Sequence, residues 1–496
     1  MLMKADVVIV GGGIVGTAIA RELSRYRLRI ILAEKEDDVA MGTSKANSGI
    51  IHAGYNADFK TLKGRLNVKS NSKFDKLCQD LKVPFKRIGS LVVGFTREDL
   101  SKLIELKENG EKNGLNNLKI ITGDKLLDLE ANLNHEAKYA LYAPSAGIIS
   151  PYELNISLAE NAVINGVKIL LETKVVDIVQ RDNQVIGVLT NKGLIETRVM
   201  INAAGLYADE IAEKIGDDFK IKPLKGEYQL FDKQWGRLVN HVLFPIPSKL
   251  SKGILVTPTV HGNLLIGPDS YWVKEKDNLA TTKKGIDEVY KGAKRLIPDL
   301  PRKDLLINSF AGLRANTRGK DFIIRASKKI KGFINVAGIQ SPGLSSAPAI
   351  TEMVLDILRE VMGDIYPKLE LNYRDNFVET LDEQPRFADY LNKLEEWQEI
   401  VEKDSDYGEV ICRCEKVTKG ELLRAIRRPL PARSLDAIKR RIRTGMGRCQ
   451  GGFCGPKVLK ILAEELKISS LEISKKGENS EILKSKTKEM IKEKNS

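Results

Sequence analysis

Residues 5–34 read ADVVIVGGGIVGTAIARELSRYRLRIILAE, and this stretch decides the fold. Residues 5–10 have the unbroken apolar pattern of a buried strand, and the glycine-rich run 11–16 follows at once. Residues 17–25 favour a helix, and a second strand over 29–33 delivers Glu34 at its end. The order predicts a strand, tight turn, helix and strand unit that binds a dinucleotide. The alternative is a glycine turn with a purely structural role.

Each glycine in this run has a separate predicted task. Gly11 permits the turn, Gly13 lets the backbone approach a pyrophosphate, and Gly16 allows the helix to pack closely on the strand. The free N–H groups at the start of the helix stabilise phosphate charge, and the carboxylate of Glu34 accepts hydrogen bonds from a ribose. The predicted cofactor contacts in this region are Gly11, Gly13, Ile14, Val15, Gly16, Glu34 and Lys35.

Length and composition indicate an ordinary globular protein. The chain has 496 residues, enough for two or three domains, with 42% hydrophobic and 29% charged residues. Its formal net charge is +14, but Lys and Arg are interleaved with Asp and Glu, which favours a solvated surface over a nucleic-acid or membrane-binding face. The first residues lack the pattern of a secretory signal and no apolar run is long enough to span a membrane, so we expect a cytoplasmic protein.

Three later segments favour FAD over NAD as the dinucleotide. Residues 42–55, GTSKANSGIIHAGY, are small and hydroxylated and can wrap an extended ligand. A strand over 198–202 ends in two alanines and a glycine, after a helix that begins with a capping box at Ser150 and strands over 168–171 and 174–179. A buried strand over 333–337 precedes the glycine- and serine-rich run 338–348 and a helix that continues through Met362.

These segments supply the remaining predicted cofactor contacts. They are Thr43, Ser44, Asn47, Ser48, Gly49, Val175, Val176, Ala203, Ala204, Gly205, Gly338, Gly343, Leu344 and Ser345. The sequence has no second glycine-rich dinucleotide motif and no paired-cysteine motif in its first 400 residues. Both observations argue against a pyridine-nucleotide disulfide reductase.

From residue 1 to about residue 365 the order of these segments resembles the D-amino-acid-oxidase-like flavoprotein superfamily. The resemblance implies an α/β and α+β architecture, in which a Rossmann-type FAD-binding domain (about 1–80, 145–220 and 310–365) is interleaved with an antiparallel-sheet substrate domain (about 81–144 and 221–309). The motif GTSKANSGIIHAGY is similar to the flavin-proximal loop of FAD-dependent glycerol-3-phosphate dehydrogenases and also to that of L-2-hydroxyglutarate dehydrogenases.

The resemblance also indicates candidate substrate groups. His52 lies in the flavin-proximal loop and is a candidate base for a hydroxyl proton; its alternative role is to hold the loop by hydrogen bonds. Residues 309–318 resemble the family's arginine-bearing strand, where the guanidinium of Arg314 suits a carboxylate or phosphate. Arg318, Tyr55 and Lys225 are weaker candidates for substrate contact.

Four of the five cysteines lie in the last fifth of the chain, which in a cytoplasmic protein favours a metal site over disulfides. One residue separates Cys412 from Cys414, and four separate Cys449 from Cys454. Helices are predicted from a capping box at Thr418 and Glu421, from Ser434, and from Pro456 in a first turn. Zinc is an alternative ligand of four thiolates, although two to four residues usually separate its paired ligands.

This C-terminal segment, residues 408–470, resembles the small [2Fe-2S] domain of bacterioferritin-associated ferredoxin, which implies that Cys412, Cys414, Cys449 and Cys454 hold a two-iron cluster. Zinc and an empty site stay open as alternatives. A similar domain follows the flavin domain in the large subunit of anaerobic glycerol-3-phosphate dehydrogenases. Residues 366–407 are interpreted as a connecting arm, and residues 471–496 as a charged tail that frays or forms a solvated helix.

Together these resemblances imply an oxidoreductase that oxidises sn-glycerol 3-phosphate to dihydroxyacetone phosphate. Electrons would pass through FAD and the cluster to an electron-accepting protein subunit, with peripheral membrane docking left open. One alternative is a dehydrogenase of a 2-hydroxy acid or an amino acid, since Arg314 would also bind a carboxylate. Another is an electron-transfer subunit in which the FAD fold is a non-catalytic scaffold.

Overall fold

The computed structural model describes residues 3–247, 253–319, 321–365 and 372–485. Parts of the predicted connecting arm (366–371) and charged tail (486–496) lie outside the described residues. The chain forms two units: the first contains Met1–Glu34 and Ala40–Leu381, and the second contains Lys35–Val39 and Asp382–Ser496.

The strands of the described residues are β1 (Met3–Lys4), β2 (Val7–Val10), β3 (Ile30–Ala33), β4 (Ile50–Ile51), β5 (Phe85–Arg87), β6 (Ser90–Gly94), β7 (Lys119–Thr122), β8 (Tyr139–Ala143), β9 (Gly147–Ile149), β10 (Lys168–Leu170), β11 (Val175–Arg181), β12 (Gln184–Thr190), β13 (Gly193–Glu196), β14 (Met200–Asn202), β15 (Ile221–Phe231), β16 (Val242–Pro245), β17 (Leu255–Pro258), β18 (Leu264–Gly267), β19 (Tyr271–Trp272), β20 (Leu306–Thr317), β21 (Ile323–Ala326), β22 (Phe333–Ala337), β23 (Val410–Cys412) and β24 (Val417–Thr418). The α-helices are α1 (Ile14–Leu23), α2 (Leu62–Asn71), α3 (Phe74–Asp80), α4 (Arg97–Lys112), α5 (Lys125–Leu129), α6 (Pro151–Ile164), α7 (Ala208–Glu213), α8 (Lys283–Lys294), α9 (Gly343–Ile365), α10 (Leu394–Lys403), α11 (Lys419–Arg427), α12 (Leu435–Ile442) and α13 (Gly455–Leu466).

A six-stranded sheet in the order β10-β3-β2-β14-β22-β21 organises the nucleotide-binding half of the first unit. Its first five strands are parallel, and β21 closes the edge antiparallel to β22. The apolar strands β2 and β22 are buried along their whole length, as their unbroken hydrophobic runs predict. Helices α1, α6 and α9 pack together beside this sheet in one apolar core.

The substrate-domain prediction corresponds to a nine-stranded sheet built from β6–β8 and β15–β20. Most of its neighbours pair antiparallel, and the pair β16 with β6 is parallel. Its longest ladder joins β15 to β20 over eleven residue pairs that include Leu224 with Arg314. The mixed fold class is therefore confirmed, with both predicted sheets present in the first unit.

Two details of the predicted helices differ from the structure. Helix α6 begins at Pro151 as predicted, but Ser150 makes no side-chain capping bond. The carboxylate of Glu153, which would complete the box, instead contacts His261 at 2.7 Å. The last helix of the first unit begins at Gly343, five residues before the predicted loop ends, and contains Pro348. The capping box at Ser150 was wrong, although the helix itself was right.

The second unit is a small helical bundle around Ile411, Leu422, Ile438 and Leu462. The capping box of Thr418 and Glu421 and the cap by Ser434 form as predicted, and Pro456 lies in the first turn of α13. The structure divides the predicted arm, placing its described residues before 382 in the first unit and those after 381 in the second.

The beginning of the predicted tail is ordered against this bundle. Ile473 is buried in its core, and the N–H groups of Leu435 and Asp436 donate to the carbonyls of Ser474 and Lys475 at 3.2 and 2.9 Å. A solvated or frayed tail was therefore the wrong prediction for these residues.

The chain segment 35–39 also belongs to this unit. The carboxylate of Asp38 accepts from Arg441 at 2.7 and 3.0 Å and from Arg440 at 2.8 Å, with all three side chains buried. Burial opposes ionisation of Asp38, but the two guanidinium groups outweigh it and lower its pKa to about 2. A short N-terminal segment thus supplies the counter-charge for two arginines of α12.

Candidate functional site

The glycine turn after β2 forms a cradle that side chains would fill. Gly11 has a φ of +107°, and a Cβ there would lie 2.5 Å from the carbonyl oxygen of Ala203. A Cβ on Gly16 would lie 1.9 Å from the carbonyl oxygen of Gly11, so the helix can approach the turn only with glycine at this position. The turn therefore presents bare backbone and the start of α1, including Ile14 and Val15, to a ligand.

The predicted ribose and phosphate contacts surround this turn. Glu34 is buried at the end of β3, and its Oε2 accepts from the N–H of Gly12 at 2.5 Å. The hydroxyl of Ser44 accepts from the N–H of Ile14 at 2.9 Å, at the first turn of α1. Both groups lie where a dinucleotide would contact the turn, and the residues present thus fit FAD.

The loop that contains residues 42–55 is held by its own polar side chains. Thr43 donates to the carbonyl of Leu313 at 2.7 Å, and Asn47 accepts from the N–H of Gly49 at 2.9 Å. Gly49 has a φ of +64°, and a Cβ there would lie 2.4 Å from the carbonyl oxygen of Ile149. The loop is therefore tied both to β20 and to the strand before α6.

The backbone of His52 is fixed by three hydrogen bonds. Its N–H donates to the hydroxyl of Ser345 at 2.8 Å, in the first turn of α9. Its carbonyl accepts from Asn67 and Asn71 of α2 at 3.2 and 3.0 Å. The imidazole lies 5.9 Å from the ring of Phe244, between centroids. These bonds hold the backbone of His52 between α2 and α9.

Arg314 lies on the face of β20 that residues 42–55 cover. Side chains alternate along the strand, so Gly312 and Arg314 share a face, and a Cβ on Gly312 would lie 2.0 Å from the carbonyl oxygen of Ala46. The guanidinium donates to the carbonyl of Asp269 at 3.1 Å and to the hydroxyl of Ser270 at 3.2 Å. Because guanidinium has five N–H donors, these contacts leave donors for an anionic substrate.

Burial changes the pKa values of the ionisable groups around Arg314. Burial raises the pKa of Asp269 to about 6, although the N–H of Glu227 donates to this carboxylate and opposes the increase. Burial also raises the pKa of Tyr228, whose hydroxyl lies against Arg314, and the guanidinium offsets part of that increase. A half-buried guanidinium that is held by neutral oxygen atoms can bind an anion.

Two residues that the sequence did not single out complete this face. Asn316 lies two residues beyond Arg314 on β20, and its side-chain oxygen accepts from Gln340 at 3.0 Å. Gln340 belongs to the loop after β22, which contains the predicted contact Gly338. This hydrogen bond brings the predicted cofactor segment 338–348 next to β20. Only the strand register could have indicated this contact.

The weaker candidates lie elsewhere. Lys225 projects from the opposite face of the β15–β20 ladder, where it donates to Asn278 at 2.9 Å and to the carbonyl of Ala280. Tyr55 is buried among apolar side chains, and burial raises its pKa to about 12. Arg318 is exposed just past the end of β20. These environments favour structural or surface roles.

The remaining predicted cofactor residues are divided by position. Ala203, Ala204 and Gly205 follow β14, where Ala203 closes against Gly11. Gly343, Leu344 and Ser345 form the first turn of α9. Val175 is buried at the start of β11, and Val176 beside it is exposed. Lys35 is exposed, and Ser48 is partly buried.

The four clustered cysteines of the second unit occur as two pairs. The sulfurs of Cys414 and Cys449 are 3.8 Å apart, and those of Cys412 and Cys454 are hydrogen-bonded to each other. Among the described residues, no group of three or more His, Cys, Asp or Glu side chains has the geometry to hold a single metal ion. Two separate thiol pairs match a centre in which each of two irons takes two thiolates.

Backbone N–H groups point at these sulfurs. Hydrogen bonds from Cys454 and from the N–H groups of Gly445 and Glu415 lower the pKa of Cys412 to about 6. The N–H of Phe453 donates to Cys449 and lowers its pKa in the same way. Amide donors around thiolate ligands stabilise the negative charge of an iron-sulfur cluster, so the donor set fits that cofactor.

Comparison with known families agrees with both sites. The family described as "FAD dependent oxidoreductase" matches residues 6–357, and "BFD-like [2Fe-2S] binding domain" matches residues 410–464. The chain belongs to the FAD dependent oxidoreductase family. It is a FAD-dependent enzyme with a [2Fe-2S] domain, and no helix within its described ranges is long and apolar enough to cross a membrane.

Individual relatives extend the comparison. The chain is 49% identical to a glycerol 3-phosphate dehydrogenase of Caloramator mitchellensis over 98% of this chain and 99% of that protein. It is 32% identical to a glycerol 3-phosphate oxidase of Mycoplasma genitalium, over 76% of this chain and 99% of that protein. A solved structure of dithionite-reduced L-alpha-glycerophosphate oxidase from Mycoplasma pneumoniae with FAD bound superposes with a TM-score of 0.71 at 31% identity, covering 77% of this chain and 99% of that one.

Proposed function

We propose that this enzyme oxidises sn-glycerol 3-phosphate to dihydroxyacetone phosphate and passes the electrons through its cluster to an electron-accepting protein. The observation that carries the proposal is the 49% identity to a glycerol 3-phosphate dehydrogenase over 98% of the chain, across both units. Its oxidase relative leaves about a quarter of this chain unmatched. The unmatched length is close to that of residues 382–496 of the second unit, which include the cluster domain. The proposal therefore assigns this domain the onward transfer of electrons.

Different residues bind the substrate, accept the proton and hold the cofactors in this proposal. Arg314 binds the phosphate of the substrate through its free N–H donors, and His52 takes the hydroxyl proton on an imidazole nitrogen. The turn at Gly11 and Gly16 and the carboxylate of Glu34 hold FAD, which accepts a hydride when bound, whereas the cysteine pairs hold a cluster that carries single electrons. Lys225, Tyr55 and Arg318 have no direct role in this proposal.

The state of the cysteines also bears on the compartment in which the enzyme works. The five cysteines are all free, and four of them are the proposed cluster ligands. A reducing compartment preserves such thiols, so we propose that the enzyme works in the cytoplasm.

Anaerobic absorption and electron paramagnetic resonance spectroscopy of the iron-replete protein test the reaction. Glycerol 3-phosphate should bleach the flavin absorbance, and the signal of a reduced [2Fe-2S] cluster should follow. Bleaching with L-2-hydroxyglutarate or an amino acid, but not with glycerol 3-phosphate, would overturn the substrate and keep the cofactors. Protein that contains zinc and no iron after anaerobic purification would overturn the cluster and leave the flavin reaction testable.

A further inference from the structure

The two thiol pairs differ in their access to solvent. Cys412 and Cys454 are buried, whereas Cys449 is exposed and Cys414 is partly exposed. Electron transfer between proteins requires a close approach of the two redox centres, so the side of Cys414 and Cys449 is where an external acceptor would approach.

An exposed aromatic side chain lies on this side. Phe453 is 44% exposed, although its own N–H donates to the sulfur of Cys449. The guanidinium of Arg413, the residue between Cys412 and Cys414, lies 4.5 Å from the centroid of the Phe453 ring, and the ammonium of Lys457 lies 5.7 Å from it. An accessible ring flanked by cations is a common centre of a protein interface.

The exposed charged side chains of the cysteine-bearing segments are cationic. In the cysteine-bearing segments 411–417 and 443–460, the exposed charged side chains are all cationic: Arg413, Lys416, Arg448, Lys457 and Lys460. The single acid of these segments, Glu415, is buried and paired with Arg443 at 2.8 Å. Lys460 lies at the edge of this surface and pairs with Glu464 at 3.8 Å. We call Arg413, Lys416 and Lys457 together with Phe453 the cationic face.

We propose that the cationic face is the docking surface for a small acidic electron-carrier protein, whose oxidised metal centre takes electrons from the cluster one at a time. The inference rests on the proposed function for the source of the electrons. Each glycerol 3-phosphate gives up a hydride, two electrons in all, so two oxidised carriers are reduced by one electron each for every molecule of substrate. Charge complementarity selects an acidic partner because a ring of carboxylates would be attracted to Arg413, Lys416 and Lys457, and the cysteine-bearing segments contain no exposed acid.

Docking is measured with the full-length holoenzyme and zinc-substituted rubredoxin, a small acidic protein whose metal cannot be reduced. Binding followed by nuclear magnetic resonance titration should weaken about tenfold when salt rises from about 0.02 to about 0.5 M, because surface charges are screened. Basic cytochrome c is the probe of opposite charge and should not bind. Equal binding of the two probes, or of neither, would overturn the proposal.

Charge-reversal variants locate the surface. Lys457→Glu should weaken rubredoxin binding about tenfold at low salt, and Lys460→Glu should weaken it less. Lys284→Glu is the matched control for Lys460→Glu, since each lysine lies on an exposed helix with a glutamate four residues later at 3.8 Å. Equal losses in Lys457→Glu and Lys284→Glu would overturn the assignment of this face.

Two further measurements separate the possible failures. Flavin bleaching by glycerol 3-phosphate should be unchanged in all three variants, and absence of bleaching in the unmodified enzyme would overturn the proposed function while docking is still measured. If Lys457→Glu slows electron transfer from the flavin to the cluster and leaves rubredoxin binding intact, the face serves the chain's own flavin unit and the proposal is wrong. Phe453→Ala, checked for cluster absorbance, should weaken docking at high salt as well as at low salt.

Discussion

The guanidinium of Arg314 is positioned by neutral acceptors, the carbonyl of Asp269 and the hydroxyl of Ser270. Neither acceptor carries a charge. The cation is thus oriented without being consumed by an ion pair. Such a group binds an incoming phosphate more strongly than an arginine already paired with a carboxylate would.

Replacement of Arg314 by lysine tests the planar fork as distinct from the charge. We expect kcat/KM for glycerol 3-phosphate to fall about 30- to 100-fold. This fall corresponds to about 2–3 kcal/mol, the free energy of a charge-assisted hydrogen bond that an ammonium group cannot replace in the same geometry. Stopped-flow measurement of flavin bleaching against substrate concentration gives this ratio. Arg318→Lys is the matched control and should change it less than twofold, because Arg318 is exposed past the end of β20. Equal effects of both substitutions would remove Arg314 from the site.

Among the elements, the turn between β2 and α1 has the least room for change. An alanine at Gly16 would place its Cβ 1.9 Å from the carbonyl oxygen of Gly11, so the turn must open. Overpacking of this kind costs about 1–3 kcal/mol, and we expect FAD affinity to fall by up to about a hundredfold. Fluorescence titration of the apoprotein with FAD measures it. A Cβ on Gly363, near the end of α9, would meet no atom within 4 Å, so Gly363→Ala should bind FAD normally; loss of binding there would show that general misfolding, not the turn, is responsible.

The contact between α9 and the flavin-proximal loop supports a second prediction at this scale. Ser345→Ala removes the acceptor of the His52 N–H and the donor to the carbonyl of Ile50. We expect kcat to fall about tenfold with little change in KM, since the loss of about 1 kcal/mol loosens a proton acceptor and not the phosphate site. Steady-state kinetics with a dye acceptor measure both constants. Thr351→Ala is the control in the same helix, because its hydroxyl bonds only within α9, to the carbonyl of Ala347. A rise in KM without a fall in kcat would contradict the assignment.

Local sequence patterns predicted the helices and strands well because residues close in sequence determine these elements. The strands β2, β3 and β22, the turn glycines and the caps at Thr418 and Ser434 follow from hydrophobic runs and short-range hydrogen bonds. The glutamate half of the capping box predicted at Ser150 is absent, and the carboxylate of Glu153 instead contacts a distant histidine, His261. For the same reason the pairing of Asn316 with Gln340, and the opposite faces of Arg314 and Lys225, could not be read without the strand register.

At the scale of the whole chain, sequence order hides which residues form the second unit. Residues 35–39 follow Glu34 directly, and no periodicity distinguishes them from the nucleotide-binding unit. Their place in the second unit depends on ion pairs formed with residues about 400 positions later. The family resemblance of residues 408–470 therefore described only the contiguous part of a discontinuous unit.

Asp38→Asn tests this discontinuity by its effect on stability and on pH dependence. The substitution leaves the buried guanidinium groups of Arg440 and Arg441 without a counter-charge, which costs about 3–5 kcal/mol. The folded-state pKa of Asp38, about 2, is lower than the ordinary value of 3.8, so the carboxylate contributes stability above about pH 4 and this contribution is lost as the pH falls towards 2. We therefore expect the variant to unfold its second unit at lower denaturant concentration at pH 7, with a smaller loss of stability between pH 4 and pH 2 than in the unmodified protein.

The measurement is denaturant unfolding of the holoenzyme, with cluster absorbance and flavin fluorescence recorded separately. Cluster loss should shift in Asp38→Asn, and flavin release should shift less, because Asp38 pairs with α12 of the second unit. Asp6→Asn is the control, since Asp6 pairs with the exposed side chain of Arg29 in the first unit and loss of this pair should cost less than about 1 kcal/mol. Parallel shifts of both signals in Asp38→Asn would show that the two units unfold together, and an unchanged cluster signal would show that residues 35–39 do not stabilise the second unit.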